Sequence, residues 1–560
     1  MERQDAARFD AELQEIETEM SFIDREEFAL VPQMDETRRH YLEALAKKCN
    51  DLASRRANDP ALQRKKAEIQ YRLGTILELL VRYAEAEERY REAIGLLSGT
   101  NPNPADYPNL DKSRHHYANL LKVLGRLEEA EPQYRSAIEL VSRNDVVGDL
   151  RYEHAETLHD AAKLQVMIGR YEEGENSLRQ ALDLQRQLVL EQPSVAKLQL
   201  ATAAIETSLA NLLLDHSRLE ESGTLLQSAI EGQEKLLLTA PNVPVHHLGL
   251  ARTLNVRARW FDLHGQRFKK QSTDDLIRAY FIFKKLAADH PQRPDYRLEL
   301  ASAEHFVARA PVETKTAMNF EMSIAAMEKS YRDAVAQQDR LVTEFPAYID
   351  HHHRLALSLN SLATWLCDKT LNDVAKAERE ALFVESVALH ERAEAIWVRL
   401  SKAYPKVIAY QNGLALSHQR FGIALEKLNR LDEAENRYRQ AIVIQEELAA
   451  KHPTIVRHLS TASALHNNLG VIHDRRNDLA GAEREFRMAL DFSYRARDKN
   501  PANITPNIGL TIGVKNMADV LLRLGRYQEA APFAKEWGRF YTTSYWNYNE
   551  VFELFDQCIT

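Results

Sequence analysis

Glycine and proline are scarce in this chain, 19 and 18 residues of 560, together under 7% against roughly 12% in average sequences. So few breakers favour a mostly helical protein, and no alternating strand-like segment of useful length interrupts that reading. Cysteine is scarcer still. Cys49, Cys367 and Cys558 lie far apart, which excludes a disulfide framework and a cysteine zinc site and fits a reducing compartment. No run approaches the roughly 20 apolar residues of a membrane span. The first residues, MERQDAARFDAELQEIETEM, are charged rather than signal-like, so a cytoplasmic protein without a span is expected. Strong charge of one sign is lacking too. The 73 basic and 82 acidic residues leave a net −9, no footprint for a phosphate backbone, and no nucleic-acid partner is expected.

Catalytic motifs are also missing: there is no Gly-rich phosphate loop, no Gly-x-Ser-x-Gly elbow and no His-Glu-x-x-His helix. The chain therefore reads as non-enzymatic, with no cofactor and no metal. His351, His352 and His353 read as a solvated helix start, because three consecutive histidines on a helix point in different directions. His154 and His159 read as surface histidines.

What is present is a repeat. A short phrase recurs as VRYAEA at 81–86, GRLEEA at 125–130, GRYEEG at 169–174, SRLEES at 217–222, NRLDEA at 429–434, NDLAGA at 477–482 and GRYQEA at 525–530. It reads as a tight turn opening a helix, with acidic residues near the helix N-terminus. Each phrase ends in a small residue (Ala86, Ala130, Gly174, Ser222, Ala434, Ala482, Ala530). In all but the last, four residues on comes a large one (Tyr90, Tyr134, Leu178, Leu226, Tyr438, Phe486), and seven on an alanine. These share one helical face, where a neighbouring helix can approach closely. Twelve residues upstream of the small residue stands another, Gly74, Ala118, Ala162, Ala210, Gly422, Gly470 and Ala518, which places a first helix before each second one. Prolines extend the register through 222–434, where the phrase vanishes: Pro193, Pro241, Pro291, Pro346, Pro405, Pro453 and Pro501 are spaced 48, 50, 55, 59, 48 and 48, each positioned to stop a second helix. The middle repeats thus carry insertions, expected around 267–275, 310–322 and 367–380.

A helix–turn–helix unit with these slots resembles the tetratricopeptide repeat. The resemblance implies an all-α fold, a right-handed α-solenoid of about ten tetratricopeptide-like helix pairs with 44–59-residue spacing. Segments such as LALSHQRFGIALEKLNRLDEAENRYRQAIVIQEELAAKHP are similar to the long arrays that follow the kinase domain in planctomycete-type bacterial serine/threonine kinases, although kinase motifs are absent here. The expected organisation is an N-terminal helical segment (1–62), regular repeats (63–245), degenerate repeats (246–408), regular repeats (409–536) and an aromatic capping segment (537–560). Phe9, Leu13, Ile16, Met20 and Ile23 form a short heptad seam, read as a helix lying on the first repeats or as a dimerising coil.

By analogy with this family, first helices line the groove. Its expected partner-binding residues are Tyr71, His115, Asn119, His159, Lys163, Thr207, Asn211, Asn255, Arg259, Asn360, Gln419, Asn467 and Lys515. Family members that clamp a carboxylate terminus use Lys and Asn there. His115 with Asn119 is the nearest approach, so a polar groove for a protein or peptide partner is expected instead. Trp537, Tyr541, Trp546 and Phe552 offer end docking as an alternative to capping. The function read from the sequence is a scaffold or adaptor regulating a bacterial signalling or defence enzyme. The alternative is a regulatory or sensor part of a kinase-type enzyme, binding a small ligand in the irregular middle.

Overall fold

The computed structural model of the protein describes residues 63–79, 82–98, 107–142, 150–265, 268–291, 324–344, 348–369, 376–499 and 504–541, with a few isolated positions elsewhere. Among the described residues there are nineteen helices and no strand. In chain order they are α1 (Gln63–Leu79), α2 (Tyr83–Leu97), α3 (Tyr107–Val123), α4 (Leu127–Ser142), α5 (Arg151–Met167), α6 (Tyr171–Glu191), α7 (Ala196–Asp215), α8 (Leu219–Thr239), α9 (Pro244–His264), α10 (Lys269–Asp289), α11 (Ile324–Glu344), α12 (Ile349–Lys369), α13 (Lys376–Ala403), α14 (Ile408–Lys427), α15 (Leu431–Lys451), α16 (Val456–Arg475), α17 (Leu479–Lys499), α18 (Ile504–Arg523) and α19 (Tyr527–Tyr541). The fold is an all-α solenoid. Repeats 1–5 are the hairpins from α1–α2 to α9–α10, α11 is the second helix of repeat 6, and repeats 7–10 run from α12–α13 to α18–α19. Residues 310–322 and 370–375, within two of the expected insertions, lie outside the described residues. The third, at 267–275, is mostly the first turns of α10.

The small and large slots explain each hairpin. Ala86, Ala130, Ala434 and Ala482 are completely buried, and the aromatic one turn later is wedged against the first helix. At the first-helix glycines the fit leaves no room for a methyl group: a Cβ on Gly74 would lie 2.7 Å from the Tyr90 ring, and on Gly422 and Gly470 2.5 Å from Tyr438 and Phe486. The tyrosines keep their hydroxyls satisfied while burying their rings. Tyr90 donates to Glu78 at 2.7 Å and Tyr438 to Glu426 at 3.2 Å, each acceptor one turn beyond the glycine. Where serine fills the second-helix slot, it donates to a first-helix carbonyl, Ser222 to Ala210 at 3.0 Å and Ser386 to Ala363 at 2.8 Å.

First helices end where the chain must turn left-handed. Gly125, Gly169, Ser217, Asn429, Asn477 and Gly525 all have positive φ, between 59° and 82°. The next residue's N–H returns to a carbonyl five residues back, as in Arg126 to Leu121 at 2.8 Å and Arg430 to Leu425 at 3.0 Å, a closure that satisfies the open helix end. Second helices end two residues before Pro193, Pro241, Pro405 and Pro453. The proline carbonyl is then capped from six residues on, by Gln199, His247, His352 or Gln411.

The solenoid winds tightly enough for its turns to touch. Tyr83 of repeat 1 stacks on Tyr348, just before repeat 7, with ring centroids 4.8 Å apart and planes 6° from parallel. One step along, Gly125 lies against Ile349 and Tyr404, and Lys406 pairs with Glu128 at 2.7 Å. A further step brings Gly169 onto Ile408 and His452, with Tyr171 edge-on to His452 at 5.3 Å. Beyond these, Arg457 pairs with Asp215, and α9 lies along α18. For repeats 1–3 the turn inside the repeat meets the boundary that precedes the repeat six further on. One apolar core consequently joins Leu73, Tyr134 and Leu164 to Leu355, Trp397 and Tyr410.

Candidate binding surface

Successive first helices pack on one another along the array, as α7 does on α9 and α16 on α18, whereas successive second helices make no comparable contact. First helices therefore form the inner wall. Counted from the small first-helix slot, positions −6, −3 and +1 step by three and four residues and so share one helical face. The expected groove residues occupy −3 and +1.

In repeats 2–5 these residues join each other across repeat boundaries. Asp160 of α5 accepts from Asn119 at 3.0 Å, lies 2.9 Å from His115 Nε2, and is flanked by Lys163 at 3.2 Å and Lys122 at 3.8 Å. Burial opposes ionisation of Asp160. The His115 hydrogen bond and the two lysine charges outweigh it and hold the carboxyl well below the usual carboxylate range. Asn119 Oδ1 also accepts from Tyr134 at 2.5 Å and from Lys122 at 2.9 Å. The pair that most resembles a carboxylate clamp is thus occupied by the chain's own carboxylate. Further along, His159 meets Ser208 at 2.9 Å, Thr207 meets Thr253 at 2.9 Å, and Arg259 donates to Asn211 at 2.9 Å and Asp215 at 2.5 Å. Lys163 and Asn211 remain exposed, and Asn255 keeps a buried carbonyl oxygen with no hydrogen-bond partner.

Other expected residues sit differently. Tyr71 is half-buried against the edge of His116 at 5.5 Å, and Gln419 is half-buried. Asn467 accepts from Asn516 at 2.8 Å. Lys515 lies over the Trp537 ring, 5.4 Å from its centroid. Asn360 is not on the open wall: it is buried and contacts His390 at 3.1 Å and Ser417 at 3.2 Å. Trp537 is 1% exposed in the core under α18, so its ring is not open for docking. The side chain of Tyr541, Trp546 and Phe552 lie outside the described residues. So do Leu13, Ile16, Met20 and Ile23 of the heptad seam, whereas Phe9 is buried in the core with α1 and α3.

The histidines correct the sequence reading. His154 and His159 are buried, not on the surface, and burial pushes His159 down to about 3. His352 is buried as well, in the proline-capping position, 2.8 Å from the Pro346 carbonyl, with Arg399 donating to its other nitrogen at 2.5 Å. His353 packs edge-on against Trp397 at 5.3 Å. A helical period places consecutive residues in different environments, but tertiary packing decides which of them meet solvent.

Two features escaped the sequence reading. The first is the −6 position. It carries Glu68, Lys112, Glu156, Ala204 and Arg252 in repeats 1–5, and Leu357, Leu416, Ala464 and Ile512 in repeats 7–10. With Ile423 and Val471 at +1, apolar side chains enter the inner wall over repeats 7–10, between the polar Gln419, Asn467 and Lys515 at −3, and Leu357, Ile423 and Ile512 there are exposed. Comparing the −6 positions across repeats would have revealed this. The second is a cavity of about 580 Å³ where the turns touch, lined by Arg126, Glu128, Arg170, Tyr404 and Lys406 among others. It lies between repeats far apart in sequence and leaves no local signal.

No protein-family model and no curated protein is matched by this chain. Among solved structures, similar folds are found in BtubC from P. vanneervenii (20% identity, 51% of this chain and 94% of that one, TM-score 0.29). Human IFIT1 is similar at 16% identity over 84% of this chain and 93% of that one, TM-score 0.36. A signal transduction ATPase with a tetratricopeptide repeat sensor, from Pyrococcus horikoshii, is similar at 12% identity over 74% of this chain and 52% of that one, TM-score 0.34.

Proposed function

We propose that this chain is a non-enzymatic scaffold that holds a protein or peptide partner along the inner wall of its first helices. The observation that carries the reading is that exposed apolar side chains, Leu357, Ile423 and Ile512, stand among polar ones on that wall over repeats 7–10, whereas the −6, −3 and +1 positions of repeats 1–5 are almost all polar. An extended or helical segment with apolar anchors at one end and polar groups at the other matches such a surface, and a purely polar ligand would leave Leu357, Ile423 and Ile512 uncovered. The resemblance to arrays of bacterial kinases supports a signalling setting, in which the bound partner is an enzyme that the scaffold regulates.

Capture from lysate followed by mass spectrometry tests this with three variants. Partners retained by the wild type should be lost with Ile423→Asp/Ile512→Asp, weakened by Lys163→Glu, and kept by the outward-facing control Val443→Asp. Identical partner profiles for the inner-wall variants and the control would sink the proposal.

A further inference from the structure

Six copies of the repeated phrase carry an arginine at their second position, and five of these close onto the glutamate three residues further on. Arg82 meets Glu85, Arg126 meets Glu129, Arg218 meets Glu221, Arg430 meets Glu433 and Arg526 meets Glu529, all at 2.5–2.7 Å. Arg170 departs from this pattern. It stands 3.8 Å from Glu173 and holds one oxygen of Glu131, at 2.5 Å, through Nη1 alone.

A second arginine at the same place departs as well. Five residues after the small slot, Arg91, Arg179, Arg439 and Arg487 each donate from Nε, to Tyr117 at 2.7 Å or to a glutamate one turn back at 2.9–3.0 Å. Their counterpart Arg135 makes no Nε contact among the described residues, and its Nη2 takes the same Glu131 oxygen that Arg170 holds, at 2.6 Å. Two guanidiniums thus share one carboxylate oxygen, and their remaining N–H groups have no protein partner among the described residues.

Both arginines line the seam cavity. Its volume, about 580 Å³, is that of a site for a small organic molecule. The apolar lining comes from both superhelical turns, Pro132 and Ile168 from one, Tyr404 and Val407 from the other. The Tyr404 hydroxyl has no hydrogen-bond partner among the described residues. The other two carboxylates in the lining are taken, Glu128 by Lys406 at 2.7 Å and Glu129 by Arg126 at 2.6 and 2.5 Å.

We propose that the seam cavity binds a small organic carboxylate with a ring-sized apolar body. The carboxylate takes the open N–H groups of Arg135 and Arg170, whose planar forks match such a group, and the body covers the apolar lining. A bound molecule touches both turns, so it ties repeats 2 and 3 to the boundary before repeat 8. None of these residues is an inner-wall position, and the site is separate from partner binding there.

The test uses 3-phenylpropionate and 1-naphthoate beside their primary amides, at millimolar concentration with the full chain, read by ligand-observed NMR and by hydrogen exchange. The carboxylates should bind about tenfold more tightly than the amides, and exchange should slow around 125–135 and 168–172 and also around 403–408. Arg170→Gln and Arg135→Gln should each remove the preference for the carboxylate. Arg218→Gln, at the same phrase position but not in the cavity lining, should keep it. Unchanged helicity checks each fold, and either cavity variant suffices if the other unfolds. Absence of binding by both carboxylates, equal binding of acid and amide, or protection confined to one turn overturns the proposal. So does a preference that survives in a folded cavity variant or is lost equally in Arg218→Gln. Inorganic phosphate giving the same protection at the same concentration would show a bare anion site and overturn the apolar body. These outcomes are independent of partner capture on the inner wall.

Discussion

Asp111 shows how much one residue can matter in a repeated setting. Its slot, seven residues before Ala118, holds alanine in neighbouring repeats (Ala67, Ala155, Ala203, Ala251), and in α3 it buries a carboxyl whose two oxygens have no hydrogen-bond partner. Burial raises its pKa to about 7. The unfolded chain releases this proton near the ordinary value of about 4, so between the two values the folded state holds one proton more and stability falls as pH rises. Asp111→Ala should therefore gain stability over the wild type on going from pH 4 to 7, reaching on the order of 2–4 kcal/mol at neutrality. Denaturant titrations at both pH values check this, and a constant difference would show that burial is not the controlling factor. Glycines divide in the same way by surroundings. Gly422→Ala should cost about 1–3 kcal/mol, because the Tyr438 ring must move. Gly232→Ala, in α8 with nothing within 4 Å of the added methyl group, should stabilise by roughly 0.5–1 kcal/mol.

At the scale of the element, the arginine of the repeated phrase is a clamp between hairpins. Arg126 holds Glu129 in its own helix at 2.5 Å and reaches back to both oxygens of Glu87 in the previous repeat at 2.6 and 2.7 Å. Arg170, Arg218 and Arg526 repeat the backward reach to Glu131, Glu175 and Glu483. Repeat 9 has Asp478 in the arginine's place. There Asp478 caps the helix through Gly481 N–H at 2.9 Å, and Arg476 reaches back to Asp432 and Glu435 instead. The phrase was legible as a turn and helix start, but the partner of its arginine was not, since it lies about forty residues upstream on another element. Arg126→Ala should cost roughly 0.5–1 kcal/mol, as expected for partly exposed ion pairs. Hydrogen exchange should rise at the α2–α4 junction and stay unchanged in repeats 9 and 10; uniform loosening would argue against a local clamp.

At the scale of the whole molecule, the seam changes how stability is shared. A solenoid whose repeats touch only their neighbours loses structure locally, so a proline at Ala441 would unfold its own repeat and leave the rest. Here repeats six apart also touch, and damage can cross the seam. Ile408→Asp places a charge where Gly169 is covered. It should raise exchange both around 404–410 and around 166–171, segments separated by more than two hundred residues. A response confined to repeat 8 would mean that the two turns are mechanically independent.

By itself the sequence determined the all-α class, the hairpin as the unit, the small and aromatic slots and the helix ends at prolines. All of these rest on spacings within about fifty residues, where helical periodicity and backbone restriction act directly. Only the tertiary structure decided that His154, His159, His352 and Asn360 are interior, that Asp160 occupies the polar cluster expected to receive a ligand, and that the array folds back against itself. Those outcomes depend on superhelical pitch. Pitch accumulates from small rotations at every hairpin interface, and no single spacing in the chain records their sum.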